Sequence, residues 1–424
     1  MSQHILDAGK TPEQMCAERA KRFADAVKMK QPDRVPHLMG FGYLLAEMGK
    51  VTRQALYDDP QLQMEMLERA ALEYQPDMSM ALWHTPAMSR ALGDRMTKWP
   101  GYGLGPEGSF QFNEHDFMKA EDYDAFLNDP SDWAIRTYLP RAFKELEGLA
   151  MLPPLGLMLF GYYGMFSSLA ALSAPPIVSA LQAINTASQA QLKWIGEQGQ
   201  TAERLAKAGF PPFTYLSALV EAPFDFMSDT LRGMRGIFLD MLRIPDKLLA
   251  AEEKVGRFQV DFAIATCRAI NVPYVFIPLH RGSDGFMSIA QFEKFYWPQL
   301  KEMMLAFIEA GITPWVYYEG TWDTRLEYLA QLPKGKSMGS FQSSDIFKVK
   351  EVVGDTMCIL GGMPNSLLKG GTVEQVREQT QKLCEVVGKG GGYIMSTGVM
   401  ELENCKPELV KAWADATKEF GTYK

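Results

Sequence analysis

The carboxyl half of this chain carries five short apolar runs, each broken off by a polar residue or glycine just ahead of an amphipathic stretch of helical length. The runs cover 272–279 up to His280, 313–318 up to Glu319, 336–341 out to Asp345, 357–362 ahead of Asn365, and 393–396 ahead of Thr397 and Gly398. Short runs rich in β-branched and aromatic residues, separated by helical segments, are the pattern of parallel βα units. Parallel units turn the carboxyl ends of all strands to one face, so the pattern predicts that His280, Glu319, Asp345, Asn365 and Thr397 gather there. Three weaker runs, at 35–39, 77–83 and 213–220, raise the count to eight. Eight such units predict an α/β fold, a (β/α)8 TIM barrel spanning 1–424 as a single domain. Residues 98–206 are then a large, mainly helical insertion between the second and third strands. His37 on the first run, and Trp83 and His84 at the end of the second, join the candidates for substrate contact.

Composition narrows the class of partner. Hydrophobic residues make up 47% of the 424 and charged residues 22%, a globular balance rather than a disordered one. Lys and Arg total 43 against 51 Asp and Glu, with a net charge of -8 and no basic block, so nucleic acid is not an expected partner. The five cysteines are odd in number and scattered without a Cys-x-x-Cys pair, which argues against a disulfide framework and for a reducing, cytoplasmic setting. The first 20 residues lack the apolar core of a secretory signal, so export is not expected. Residues 148–192 contain no Asp, Glu, Lys, Arg or His. Within them 155–174 approaches the roughly 20 residues of a membrane helix. However, Pro153-Pro154 and Pro175-Pro176 bracket it, glycines and serines interrupt it, and no Lys or Arg anchors flank it. No membrane span is expected. The segment reads as a buried helical hairpin, a homodimer surface, or a lid over an apolar pocket.

Several stretches resemble the uroporphyrinogen decarboxylase superfamily. Asp284-Gly285-Phe286-Met287-Ser288 is followed by Gln291-Phe292-Glu293-Lys294-Phe295-Tyr296-Trp297-Pro298, and later come Leu360-Gly361-Gly362-Met363-Pro364 and Ser396-Thr397-Gly398. The amino half adds Pro32-Asp33-Arg34-Val35-Pro36 and Glu221-Ala222-Pro223-Phe224. The resemblance implies a (β/α)8 barrel and one of two activities: decarboxylation of a tetrapyrrole, or methyl transfer involving a corrinoid carried on a separate protein. The loop after the first strand, Met39-Gly40-Phe41-Gly42-Tyr43-Leu44-Leu45, lacks the arginines that the true decarboxylases place there to hold a polycarboxylate. The thiol-methylating branch carries a zinc site with a His-x-Cys pair and a later cysteine, where this chain has Tyr317-Tyr318-Glu319 and Gly398-Val399. A thiolate zinc centre is therefore not expected, although Glu319 and His280 with one further oxygen ligand suit a harder metal, possible zinc included. The chain also lacks an Asp-x-His-x-x-Gly stretch, so any corrinoid (cobalamin) is expected on a corrinoid-binding partner protein.

These departures favour demethylation of a small aryl methyl ether. Such a reaction asks for a group to protonate or hold the leaving phenolate and for an apolar slot for the ring. The expected parts are His280 or Glu319 as acid or metal ligand, Asp345 orienting it, and Tyr317, Tyr318 and Trp322 as ring contacts. The alternatives are a decarboxylase-like lyase and a barrel that binds a corrinoid or tetrapyrrole without turnover.

Overall fold

A computed structural model describes residues 9–80, 85–211, 218–399 and 401–423. Its central strands are β1 (Leu38–Gly40), β2 (Met78–Met80), β3 (Tyr274–Leu279), β4 (Thr313–Tyr318), β5 (Met338–Phe341), β6 (Cys358–Met363) and β7 (Tyr393–Thr397). Strands β3 to β7 lie side by side in chain order and all pair in parallel. β1 pairs in parallel with β2, and a parallel bridge between His37 and Met395 joins β1 to β7. At the other edge Leu219 bridges to Phe276 in parallel, attaching the chain just before Glu221 to β3. The resulting order is that of a (β/α)8 barrel. Trp83, His84 and most of the 213–220 run lie outside the described residues.

Alternation along the strands separates two environments. Leu38, Met80, Phe276, Trp315, Tyr317, Met338, Cys358, Leu360 and Ile394 form one buried cluster on the inner face. Phe23, Ala26 and Val27 belong to it as well. They come from helix α1 (Pro12–Val27), which starts at a capping box between Thr11 and Gln14 with Pro12 at its first turn. Helix α1 thus stoppers the amino end of the strands. The intervening strand residues, among them Val275, Ile277, Leu279, Val316, Tyr318 and Phe341, face the larger core shared with the outer helices. Those helices include α4 (Pro245–Ile270), α5 (Trp297–Glu309), α6 (Ile346–Val353), α7 (Asn365–Gly370) and α8 (Pro407–Phe420), and α2 (Gly161–Leu172) and α3 (Pro175–Lys207) lie in the insertion.

The amino end is also tied by charge. Asp77 is fully buried and accepts from both Arg34 terminal nitrogens at 2.8 and 2.7 Å, from Arg22, and from the His37 backbone N–H at 2.8 Å. A buried carboxylate is tolerable only when paired and hydrogen-bonded in this way.

The insertion holds a small three-stranded sheet (Thr97–Pro100, Gly103–Leu104, Gln111–Phe112) and then α2 (Gly161–Leu172) and α3 (Pro175–Lys207). The expectation that the uncharged segment forms a buried hairpin is corrected here. Only Gly164 and Ser168 of α2 are buried, because α3 turns its own apolar residues Ile177, Ala180 and Ala187 inward and leaves α2 outside. Among the described residues no single helix is long and apolar enough to cross a membrane. α2 and α3 pass that test only together and are bent by 79°.

Candidate active site

Where β3 and β4 end, alternation carries His280 and Glu319 onto the inner face, in line with Phe276 and with Trp315 and Tyr317. His280 Nε2 lies 3.6 Å from Glu319 Oε2, and the Glu319 side chain is 45% exposed, so the pair stands at an open mouth. The two residues therefore meet although 38 positions separate them in the chain. Tyr317, level with Pro278 and Ser340, sits one layer lower, with its hydroxyl donating to the Gly398 carbonyl at 3.3 Å.

The rest of the site comes from the segment after Leu219. Proline at 223 opens a short helical turn, Pro223–Asp225, which passes into a π-helical turn, Phe226–Arg232. Glu221, Asp225 and Asp229 are four residues apart and so share a face. The Asp225 carboxylate accepts from the backbone N–H groups of His280 and Arg281, both at 2.9 Å, and from the Tyr296 hydroxyl at 2.5 Å. It fixes the path of the loop leaving β3. Asp229 holds the His280 ring, with Oδ2 2.5 Å from Nδ1, and its other oxygen takes Arg281 Nε and Nη2 at 2.9 and 2.7 Å.

Both imidazole nitrogens thus face carboxylates, an arrangement that suits the doubly protonated ring. Burial alone would lower the His280 pKa. The hydrogen bond to Asp229 and the charges of Asp225, Asp229 and Glu221 outweigh it and raise the value to about 10. Burial, with Asp229 as the next contributor, pushes Glu221 up to about 7 and Asp225 up to about 6. For Asp229 burial opposes ionisation, but His280 and Arg281 prevail and hold it below the usual carboxylate range. Behind Asp225 lies Glu252 on α4, fully buried, with neither carboxyl oxygen partnered among the described residues, and burial drives its pKa well up.

Other expected site residues are placed differently. Asp345 is exposed and caps α6, accepting from the Phe347 and Lys348 N–H groups at 3.0 and 3.4 Å. The carboxylate that orients His280 is Asp229 instead. Tyr318 falls on the outer face of β4, stacked on Phe341 at 4.7 Å, and Trp322 packs against Tyr318, Tyr296 and Phe292 behind the sheet. Both are fully buried there, so neither is a ring contact at the mouth. His37 precedes β1, at the stoppered end, with its ring 4.3 Å from Trp413 of α8 and neither nitrogen partnered among the described residues. Burial lowers its pKa to about 3, so it is a neutral packing residue. Asn365 and Thr397 do end up at the carboxyl side, with Asn365 Nδ2 donating to Glu401 O at 3.4 Å and Thr397 Oγ1 to Val399 O at 2.6 Å. Trp83 and His84 are outside the described residues.

Glu221, Asp225, Asp229, Arg281 and Tyr296 were not anticipated as site residues. The signal for the acids was present in the i, i+4, i+8 spacing of carboxylates directly after the 213–220 run.

Glu221, Asp229 and His280 place ligand-type atoms within 4.8 Å of one another, a set of two oxygens and one nitrogen. No cysteine belongs to it, so it does not fit a thiolate zinc centre. A harder cation held by these three would compete with His280 and Arg281 for the Asp229 carboxylate.

The whole architecture is shared with a methyltransferase from Methanosarcina mazei: 15% identity, 95% of this chain and 98% of that one covered, TM-score 0.58. No curated protein matches the chain. The family model described as uroporphyrinogen decarboxylase (URO-D) matches residues 169–420, which include every member of the His280 cluster, and the chain belongs to that family.

Proposed function

We propose that this protein is a methyltransferase that takes the methyl group from a small aryl methyl ether and passes it to a corrinoid carried on a separate protein. One observation carries the reading: an imidazole clamped by Asp229 on one nitrogen presents the other at an open mouth, 3.6 Å from Glu319. A reduced corrinoid supplies the nucleophile for the methyl carbon. As the carbon–oxygen bond breaks, its electrons pass to the ring oxygen, and the Nε2 proton of His280 neutralises it. A phenol has a pKa of about 10, close to the value held by His280, which is the match that favours proton transfer in the transition state. Asp229 keeps the ring oriented through the transfer, Glu319 polarises the outer N–H, and Tyr317 provides an aromatic floor. The exposure of Glu319 lets a bulky protein-borne reactant reach this point.

The decarboxylase alternative is disfavoured by charge. Four carboxylates, Glu221, Asp225, Asp229 and Glu319, surround two cations, His280 and Arg281, and the cations are already engaged. Among the described residues of this cluster a polycarboxylate would find no unpaired positive group. The deciding assay is methyl transfer from methoxyarenes to a reduced corrinoid protein, comparing the native chain with His280→Gln. Free phenol should form with the native chain and fall by about 10²-fold or more in the variant. Equal rates for the two would sink the assignment.

A further inference from the structure

We infer that the exposed face of α2, together with Leu159 and Phe160 just before it, is a self-association surface, on which a second copy of this chain docks through the same patch. Leu159 and Phe160 are 91% and 73% exposed, and Tyr162, Tyr163, Phe166 and Leu169 between 51% and 65%. At roughly 200 Å² for a fully exposed large side chain, these six present about 800 Å² of mostly apolar area. The largest apolar patch of an ordinary monomer is about 300–600 Å², whereas a stable interface takes about 800 Å² from each partner. The area is therefore what a dimer needs and more than a solvated monomer keeps.

Charge selects the occupant. A two-fold axis brings a patch against itself, so any net charge on it would meet its like. Residues 148–192 carry no ionisable Asp, Glu, Lys, Arg or His, so two copies meet without that repulsion. An anionic bilayer, by contrast, is held by Lys and Arg on the polar side of an interfacial helix, and this segment offers none, in a chain of net charge -8.

The platform is also stiff. The turn Leu155–Leu159 lies so close to α2 that a Cβ at Gly164 would overlap the Leu157 carbonyl oxygen. Tyr162 stacks on Tyr163 at 4.1 Å and meets Phe166 edge-on at 5.7 Å, so the rings are ordered before a partner arrives. Pre-ordered aromatic groups lose little entropy on docking, which is where interfaces gain their affinity.

Sedimentation velocity of the full chain over a wide concentration range tests this. The native protein should sediment as a species of twice 47.5 kDa. Phe160→Glu and, separately, Leu159→Glu should each shift it to the monomer at the same concentration, with unchanged circular dichroism and melting. Using two exposed positions guards against one variant misfolding. A native monomer at all concentrations, or variants that remain dimeric, would overturn the inference. So would a native monomer that floats with phosphatidylcholine vesicles and loses that behaviour in the variants, since the patch would then belong to a membrane surface.

Discussion

Replacing Asp229 by Asn removes the charge that clamps His280 while leaving an oxygen in place to accept from Nδ1. His280 rises from an ordinary 6.5 to about 10, a difference of about 3.5, or roughly 5 kcal/mol in favour of the charged ring. One opposite charge at this range accounts for about 1–3 pKa units, so Asp229→Asn should bring His280 down to between about 7 and 9. The measurement needs no substrate. The chain has five histidines, and imidazole resonances followed through a pH titration, with His280→Gln to assign the signal, report the value directly. A native His280 that titrates near 6.5 would refute the reading of the site as a preformed proton donor. The linkage sign is also fixed. Because the folded pKa lies above the unfolded one, the His280 contribution to stability is whole below about 6.5 and fades as pH rises through about 10. Glu221 and Asp225 are also raised, by burial and then by Asp229, so their ionisation opposes folding and stability falls further as pH rises from the ordinary carboxyl range through about 6 to 7.

Asp77→Ala leaves Arg22 and Arg34 buried without their carboxylate and should destabilise by about 3–5 kcal/mol, read from urea denaturation, with little change in the His280 titration. Gly282→Ala should cost about 1–3 kcal/mol and impair methyl transfer, because a Cβ there would overlap the rings of Tyr296 and Trp322 and push Tyr296 off Asp225. Glu319→Gln, at an exposed position, should leave the unfolding free energy within about 1 kcal/mol of native while lowering methyl transfer by about tenfold or more. An unchanged rate would remove Glu319 from the site.

Much of the barrel was legible because short strands of alternating environment leave a plain trace. The run 313–318 coincides with β4, and 357–362 and 393–396 differ from β6 and β7 by one or two residues. The meeting of His280 and Glu319 followed from strand polarity alone. What was lost was parity: once Glu319 and Tyr317 point inward, Tyr318 must point outward, and reading the whole aromatic run as site lining ignored that. Asp229 was missed because it acts from a π-helical turn and not from a strand end, so only the spacing of the carboxylates at 221, 225 and 229 marked it. The uncharged segment shows a further limit, since composition reports how apolar a stretch is but not whether anything in the fold covers it.

The stopper that α1 places in the amino end of the strands constrains traffic. With Phe23, Ala26 and Val27 packed against the inner cluster at that end, the proposed ether and protein-borne acceptor would both approach from the carboxyl side of the strands. On the proposed function the ether would be seated first, because a docked protein would block the way behind it, and the demethylated phenol would leave only after that protein withdraws. Turnover should then follow a compulsory order, with excess acceptor protein slowing the reaction by occupying the carboxyl side before the ether has passed.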